Sequence, residues 1–169
     1  AAQVAAFFAL RRGGVIEVLA LAKLMYLAER ASYARYASPL TGDKLCSMEH
    51  GPVLSETLNH IRGVAESAGM WNTYFNAREG NDLPLRDDAL REEDLLRLSD
   101  ADIELLNEVW REFGHMNSHQ LWVYTHERLP EYENPGESSR PIKMNVWLST
   151  LGYSAQDVSE ILGRIEEHG

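Results

Sequence analysis

The longest apolar signal in the chain runs from Val15 to Tyr36, VIEVLALAKLMYLAERASYARY, with only Glu17 and Lys23 charged in its first fourteen residues. A helix that is apolar on nearly every side has to be surrounded by protein. The pattern therefore predicts a buried central helix over 15–36, entered from the Gly13-Gly14 break after a short N-terminal helix. Lys23 is expected at an edge of this helix, its stem on apolar surface and its ammonium in water. The alternative is an internal functional lysine.

Three further patterns organise the rest. In ASPLTGDKLCSMEHGPV, Ala37 to Val53, Pro39 and Gly42 turn the chain out of the central helix, and Lys44 to His50 reads as a strand. Gly51 is placed where a larger residue would strain the backbone. Pro52 suits a first helical turn and Gly63 a helix end. A helix is thus expected from Gly51-Pro52 to Gly63, with Val53, Leu54, Leu58 and Ile61 on its apolar stripe and Glu56 complementing its dipole. WNTYFNAREGNDLPLR, Trp71 to Arg86, reads as a β-hairpin with a glycine-containing turn and Pro84 on an edge strand. Lys44 to His50 is the candidate third strand, because a two-stranded hairpin is marginal alone.

The second half is helical. Ser99-Asp100-Ala101-Asp102 resembles a capping box opening a helix with Ile103, Leu106, Val109, Trp110 and Phe113 on one face, closed at Gly114. A second capped helix, SHQLWVYTHERL, stops at Pro130, and a polar loop spans Pro130 to Pro141. Two short helices follow, around Met144 to Leu151 and from Ser154 onward. The fold class is α+β, mostly α: a helical domain around a buried central helix, with a small antiparallel sheet of about three strands.

Length and composition agree with one domain over 1–169. At 169 residues and 44% hydrophobic content the chain can bury roughly 70% of its unfolded surface, and it needs no metal or disulfide to fold. A single cysteine makes no internal disulfide and points to a reducing, cytoplasmic setting. The apolar AAQVAAFFAL run ends at Arg11-Arg12, short of the ~20 residues that span a bilayer. Its charges follow the run, where a signal peptide carries them first, so no membrane role is expected. The chain opens on alanine, so part of the native N-terminus is expected to lie outside it.

Charge changes the functional picture. The net charge is −10, with eight Lys/Arg against six Asp/Glu in residues 1–78 and eight against twenty in residues 79–169. An acidic half argues against direct nucleic-acid binding, which needs cations to replace phosphate counterions. It suits a basic protein partner, whose encounter it would speed.

Candidate chemistry is sparse. No P-loop, GxGxxG or GxSxG pattern occurs. His115, His119 and His126 have spacings that would share one side of a continuous helix, as zinc ligands do, and a metal-dependent hydrolase would use them. Gly114 and Asn117-Ser118 suggest a helix boundary between the first two. Cys46 and His50 invite a nucleophile–base reading, yet four residues along a strand separate them by about 13 Å. Capping and packing roles for the histidines, and an inert half-buried Cys46, are the simpler assignments. No cofactor is expected.

Several stretches together carry a resemblance: LAKLMYLAERASYARYASPLTGDKLCSMEHGPVLSETLNHI, WREFGHMNSHQLWVYTHE and GESSRPI. The spacing of Lys23 to Ala28, Pro39 to Asp43, Gly51 to Val53, Phe113-Gly114 and Leu121 to His126 resembles the Panacea, or SocA-like, antitoxin domain over roughly 15–150. Cys46 and Tyr132 depart from the usual pattern, and the C-terminal helix over 154–168 lies beyond it. The resemblance implies a toxin-neutralising protein of a bacterial or phage toxin–antitoxin system, including phage defence. Its cognate protein toxin would be encoded by a neighbouring gene. Neutralisation would be by direct binding, with delivery of the toxin to a ClpXP-type protease as the alternative. No catalytic residues are implied, so the protein is not expected to be an enzyme. The expected partner surface comprises Tyr36, Lys44, Met48, His50, Thr125, His126 and Tyr132, since aromatics and methionine suit interface cores and charged side chains their rims.

Overall fold

The computed structural model describes residues 1–168 and is mostly helical, with two small antiparallel sheets, one of two strands and one of three. The N-terminal helix α1 (Ala2–Arg11) is buried along most of its length. The chain then breaks at Gly13-Gly14. The central helix follows as α2 (Val18–Tyr36), with every side chain from Ala20 to Glu29 buried. α1, α5 (Asp100–Phe113) and α6 (Ser118–Glu127) pack against it.

The start of the central helix differs from expectation. Val15–Glu17 is a strand, β1, pairing antiparallel with β4 (Asp82–Pro84) in the register Val15↔Pro84, Ile16↔Leu83, Glu17↔Asp82. Ile16 points into the core while its neighbours are exposed, an alternation a strand supplies and a helix does not. The β-branched pair Val15-Ile16 also favours extended backbone.

The 71–86 hairpin survives only in outline. Trp71–Tyr74 forms a one-turn helix, α4, and isolated bridges Phe75↔Leu85 and Glu79↔Asp82 are what remains of the ladder. The continuous pairing of β4 is with β1. Pro84 does sit on an edge strand of that two-stranded sheet.

Lys44 to His50 does not join that hairpin. Its strand, β2 (Leu45–Met48), lies between β3 (Gly51–Leu54) and β5 (Arg140–Pro141). Gly51-Pro52, expected to open a helix, instead forms β3, with Met48↔Gly51 and Leu45↔Leu54 in register. All four β3 residues are buried, so packing outweighs the local preference of proline for a first helical turn. α3 (Ser55–Arg62) starts three residues after Pro52 and ends on Gly63, whose φ of 72° gives the left-handed cap. Glu56 stands in its first turn, as expected.

The acidic half follows the sequence closely. Ser99 and Asp102 form the reciprocal capping box of α5, and Asn117 with Gln120 forms that of α6. The 130–141 loop leads into α7 (Met144–Thr150) and α8 (Ala155–His168). Among the described residues no helix is long and apolar enough to cross a membrane.

Candidate partner-binding site

The site is built on polar side chains that α2 carries inside the core. Lys23 is wholly buried, not at an edge as expected, and its Nζ donates to the Pro52 carbonyl at 3.1 Å. Burial pushes its pKa down to about 7. Gly51 lies against this ammonium with φ +99°; a methyl group there would sit 2.8 Å from Lys23 Nζ and 3.3 Å from Thr125 Oγ1. The Gly51 position thus needs glycine for both its dihedral and its space.

Two turns along, the buried Glu29 carboxylate accepts from Thr41 N and Oγ1, at 2.8 and 2.7 Å, and from Gly42 N at 3.2 Å. Desolvation raises its pKa, and these hydrogen bonds oppose the rise. Tyr26 donates to Glu131 at 3.1 Å, and Arg30 Nε meets the same carboxylate oxygen at 2.8 Å. One helix therefore pins three segments: the β3 strand, the Thr41-Gly42 turn and the start of the 130–141 loop.

Asp43 ties the turn to the next helix. Its carboxylate accepts from Glu56 N, Thr57 N and Thr57 Oγ1 at 3.0, 2.7 and 2.8 Å. It caps α3, whose own N-cap residue, Leu54, offers no side-chain acceptor. Asp43→Ala is expected to cost about 1–2 kcal/mol, read as a lower midpoint in urea unfolding with an unchanged m value. An unshifted midpoint would remove the cap from the account.

Most of the expected partner residues come together at the β2–β3 turn. The Tyr132 hydroxyl donates to the carbonyls of Met48 and Glu49 at 2.8 and 3.1 Å. His126 lies against the Tyr132 ring with centroids 4.7 Å apart; Trp122 follows at 5.7 Å and His119 at a further 5.4 Å. The aromatic side chains form a ladder from α6 to the turn that carries His50, which is exposed. Trp122 was not singled out from sequence, and His119 only as a candidate metal ligand, although they stand four and seven residues before His126 on the same side of a helix.

Three assignments change. Thr125 is buried and donates to the Leu121 carbonyl of its own helix, so it supports the turn beneath Gly51 rather than touching a partner. Tyr36 is exposed at the end of α2 with the Arg35 guanidinium 5.3 Å from its ring centroid. Lys44 reaches Glu56 at 3.8 Å. Neither joins the ladder. Cys46 is half-buried and its Sγ lies 3.7 Å from the Ser47 carbonyl.

The histidines do not form a metal centre. His115 lies in the break between α5 and α6, and the Trp122 ring contacts His119 and His126 in turn. Among the described residues no three His, Cys, Asp or Glu side chains are grouped to hold a metal ion.

Residues 21–130 match the family described as "Antitoxin SocA-like, Panacea domain". The chain belongs to this antitoxin family. The matched region holds α2 from Leu21 onward, the second sheet's first two strands, α3, α5 and α6, and it contains Lys23, Glu29, Asp43 and Gly51 at the contacts above. The GESSRPI segment lies beyond it. Searches of curated proteins and of solved structures give no match.

Proposed function

We propose that the protein neutralises a cognate protein toxin by direct binding, and that the contact surface is the face made by Met48, His50, His126 and Tyr132. Membership of the antitoxin family supports the class of function. The observation that carries the surface is Tyr132, whose ring lies tilted against His126 while its hydroxyl holds the β2–β3 turn. An aromatic pair beside an exposed turn gives a rigid, amphipathic patch of the kind that dominates binding energy. Tyr36 and Lys44, away from this patch, belong to its periphery. The acidic 79–169 half fits a basic toxin, brought to the patch by long-range attraction.

Co-expression with the product of the neighbouring gene should restore growth, and the two proteins should co-purify. Tyr132→Ala with His126→Ala is expected to weaken binding at least tenfold and abolish rescue, with a melting temperature within a few degrees of wild type. Rescue by this double variant at wild-type expression would overturn the surface. Loss of rescue only in cells lacking a ClpXP-type protease, with binding retained, would replace direct neutralisation by delivery to the protease.

A further inference from the structure

A cleft at the C-terminal end of α3, the end away from Asp43's cap, is unlike the rest of this acidic protein. It has a volume of about 400 Å³ and is lined by Arg62, Arg78 and Arg86 around an apolar floor. None of its lining residues is acidic, in a chain with 26 Asp and Glu against 16 Lys and Arg. All three arginines are exposed, and none forms an ion pair among the described residues. The charge is therefore available to a ligand.

The floor is a stack of rings. His60 lies on Trp71 with centroids 5.2 Å apart and planes 12° from parallel, and Trp71 lies on Phe75 at 4.7 Å and 27°. Trp71 and Phe75 are buried and cover one another, while His60 is half-buried, so the ring left open to a ligand is His60, backed by the stack beneath it. Asn72 and Asn76 also line the cleft. Arg78 is itself held, its Nε donating to the Gly80 carbonyl at 2.9 Å.

We propose that this cleft binds a nucleoside di- or triphosphate. Guanidinium groups recognise phosphate through paired, charge-assisted hydrogen bonds, and three of them call for more than one phosphate. The His60 ring, held flat on Trp71, offers a base a stacking surface, and amides can donate to and accept from its edge. The volume is within the usual range of small-ligand sites. An acidic peptide would use the arginines but has no planar group for the ring stack. This site goes beyond toxin neutralisation and lies on residues that the proposed toxin-binding face does not use.

Calorimetry on the full chain with ATP, GTP and UTP in turn tests the assignment, with inorganic tripolyphosphate and an oligoglutamate peptide as comparisons. At least one nucleotide should bind saturably with a Kd below about 1 mM, more tightly than either comparison. Arg62→Ala, Arg78→Ala and Arg86→Ala should each weaken it about tenfold, while Arg111→Ala, on the exposed face of α5, should not. The absence of saturable binding, an equal loss in Arg111→Ala, or tripolyphosphate or oligoglutamate binding as tightly as every nucleotide would each overturn the proposal. No toxin takes part, so any of these results leaves the antitoxin reading standing.

Discussion

Glu131→Ala is expected to lower the melting temperature by roughly 6–20 °C, from a loss of about 3–5 kcal/mol. The Glu131 side chain is fully buried, and removing it takes an acceptor from three donors at once. Arg30 Nε at 2.8 Å loses its counter-ion, and Tyr26 at 3.1 Å and Trp147 Nε1 at 3.3 Å lose an acceptor. Burial, and then the negative charge of Glu131, hold the Tyr26 hydroxyl far above its ordinary pKa, so it remains a donor. Trp147 Nε1 also donates to the Tyr26 oxygen at 3.0 Å, which makes α2, the loop and α7 one connected network. Double-mutant coupling between Glu131 and Tyr26 should accordingly be large. Hydrogen exchange should speed up in α7 and α8 of the variant, because Trp147 is the buried anchor of that helix pair. Glu131→Gln, which keeps the shape and an acceptor, should fall between wild type and alanine. A Glu131→Ala melting temperature within about 2 °C of wild type would show that the network is not cooperative. Because Tyr132 is the next residue, the variant should also weaken toxin binding beyond what its lost stability explains.

How much of this was legible in the sequence depends on whether the signal was local. Helix caps were: Ser99 with Asp102, and Gly63, act within a few residues of themselves, and the structure has them in place. The apolar run of α2 was legible for the same reason. Its first turn was not, since Val15-Ile16 becomes a strand only because Leu83 lies across from it, a partner with no trace in a window of twenty residues. Gly51-Pro52 carried a genuine helix-start pattern, which the burial of all four β3 residues overrode in favour of pairing with Met48 and Ser47. The buried charges were the least legible. Glu131 sits in a stretch, PEYENPGESSRP, whose composition is that of a solvated loop, and only Arg30 and Tyr26, a hundred residues earlier, show why it is inside.

The site divides along the same line. Of the seven residues picked from the matching blocks, four, Met48, His50, His126 and Tyr132, lie together at the β2–β3 turn. Thr125 was a fair choice on motif grounds, yet motif residues are as often there to hold a neighbour as to meet a partner. Its hydroxyl lies close to where a Gly51 side chain would be, so it matters through that glycine. The Arg62, Arg78 and Arg86 cleft left no signal in sequence at all, because its three cations come from three separate turns of chain.

Lys23 gives the clearest pH signature. Its ordinary pKa of 10.5 falls to about 7 through burial, so the native state releases a proton that the unfolded chain retains until well above pH 9. Between these limits the unfolded state binds more protons, and stability rises with pH. The wild-type protein should therefore gain about 2 kcal/mol from pH 7 to pH 9 on account of this group, or roughly 4–8 °C in melting temperature. Below pH 7 both states are protonated and the full cost of the buried ammonium is carried. Lys23→Met keeps the volume and apolar stem without the charge, and it should flatten this rise. Parallel pH profiles for wild type and Lys23→Met would mean that Lys23 keeps its proton inside the fold, with the Pro52 carbonyl solvating it well enough to replace water. A flattened profile would instead identify the lysine as a group retained against its own stability cost, whose neutral form holds Gly51-Pro52 in the strand that presents Met48 and His50.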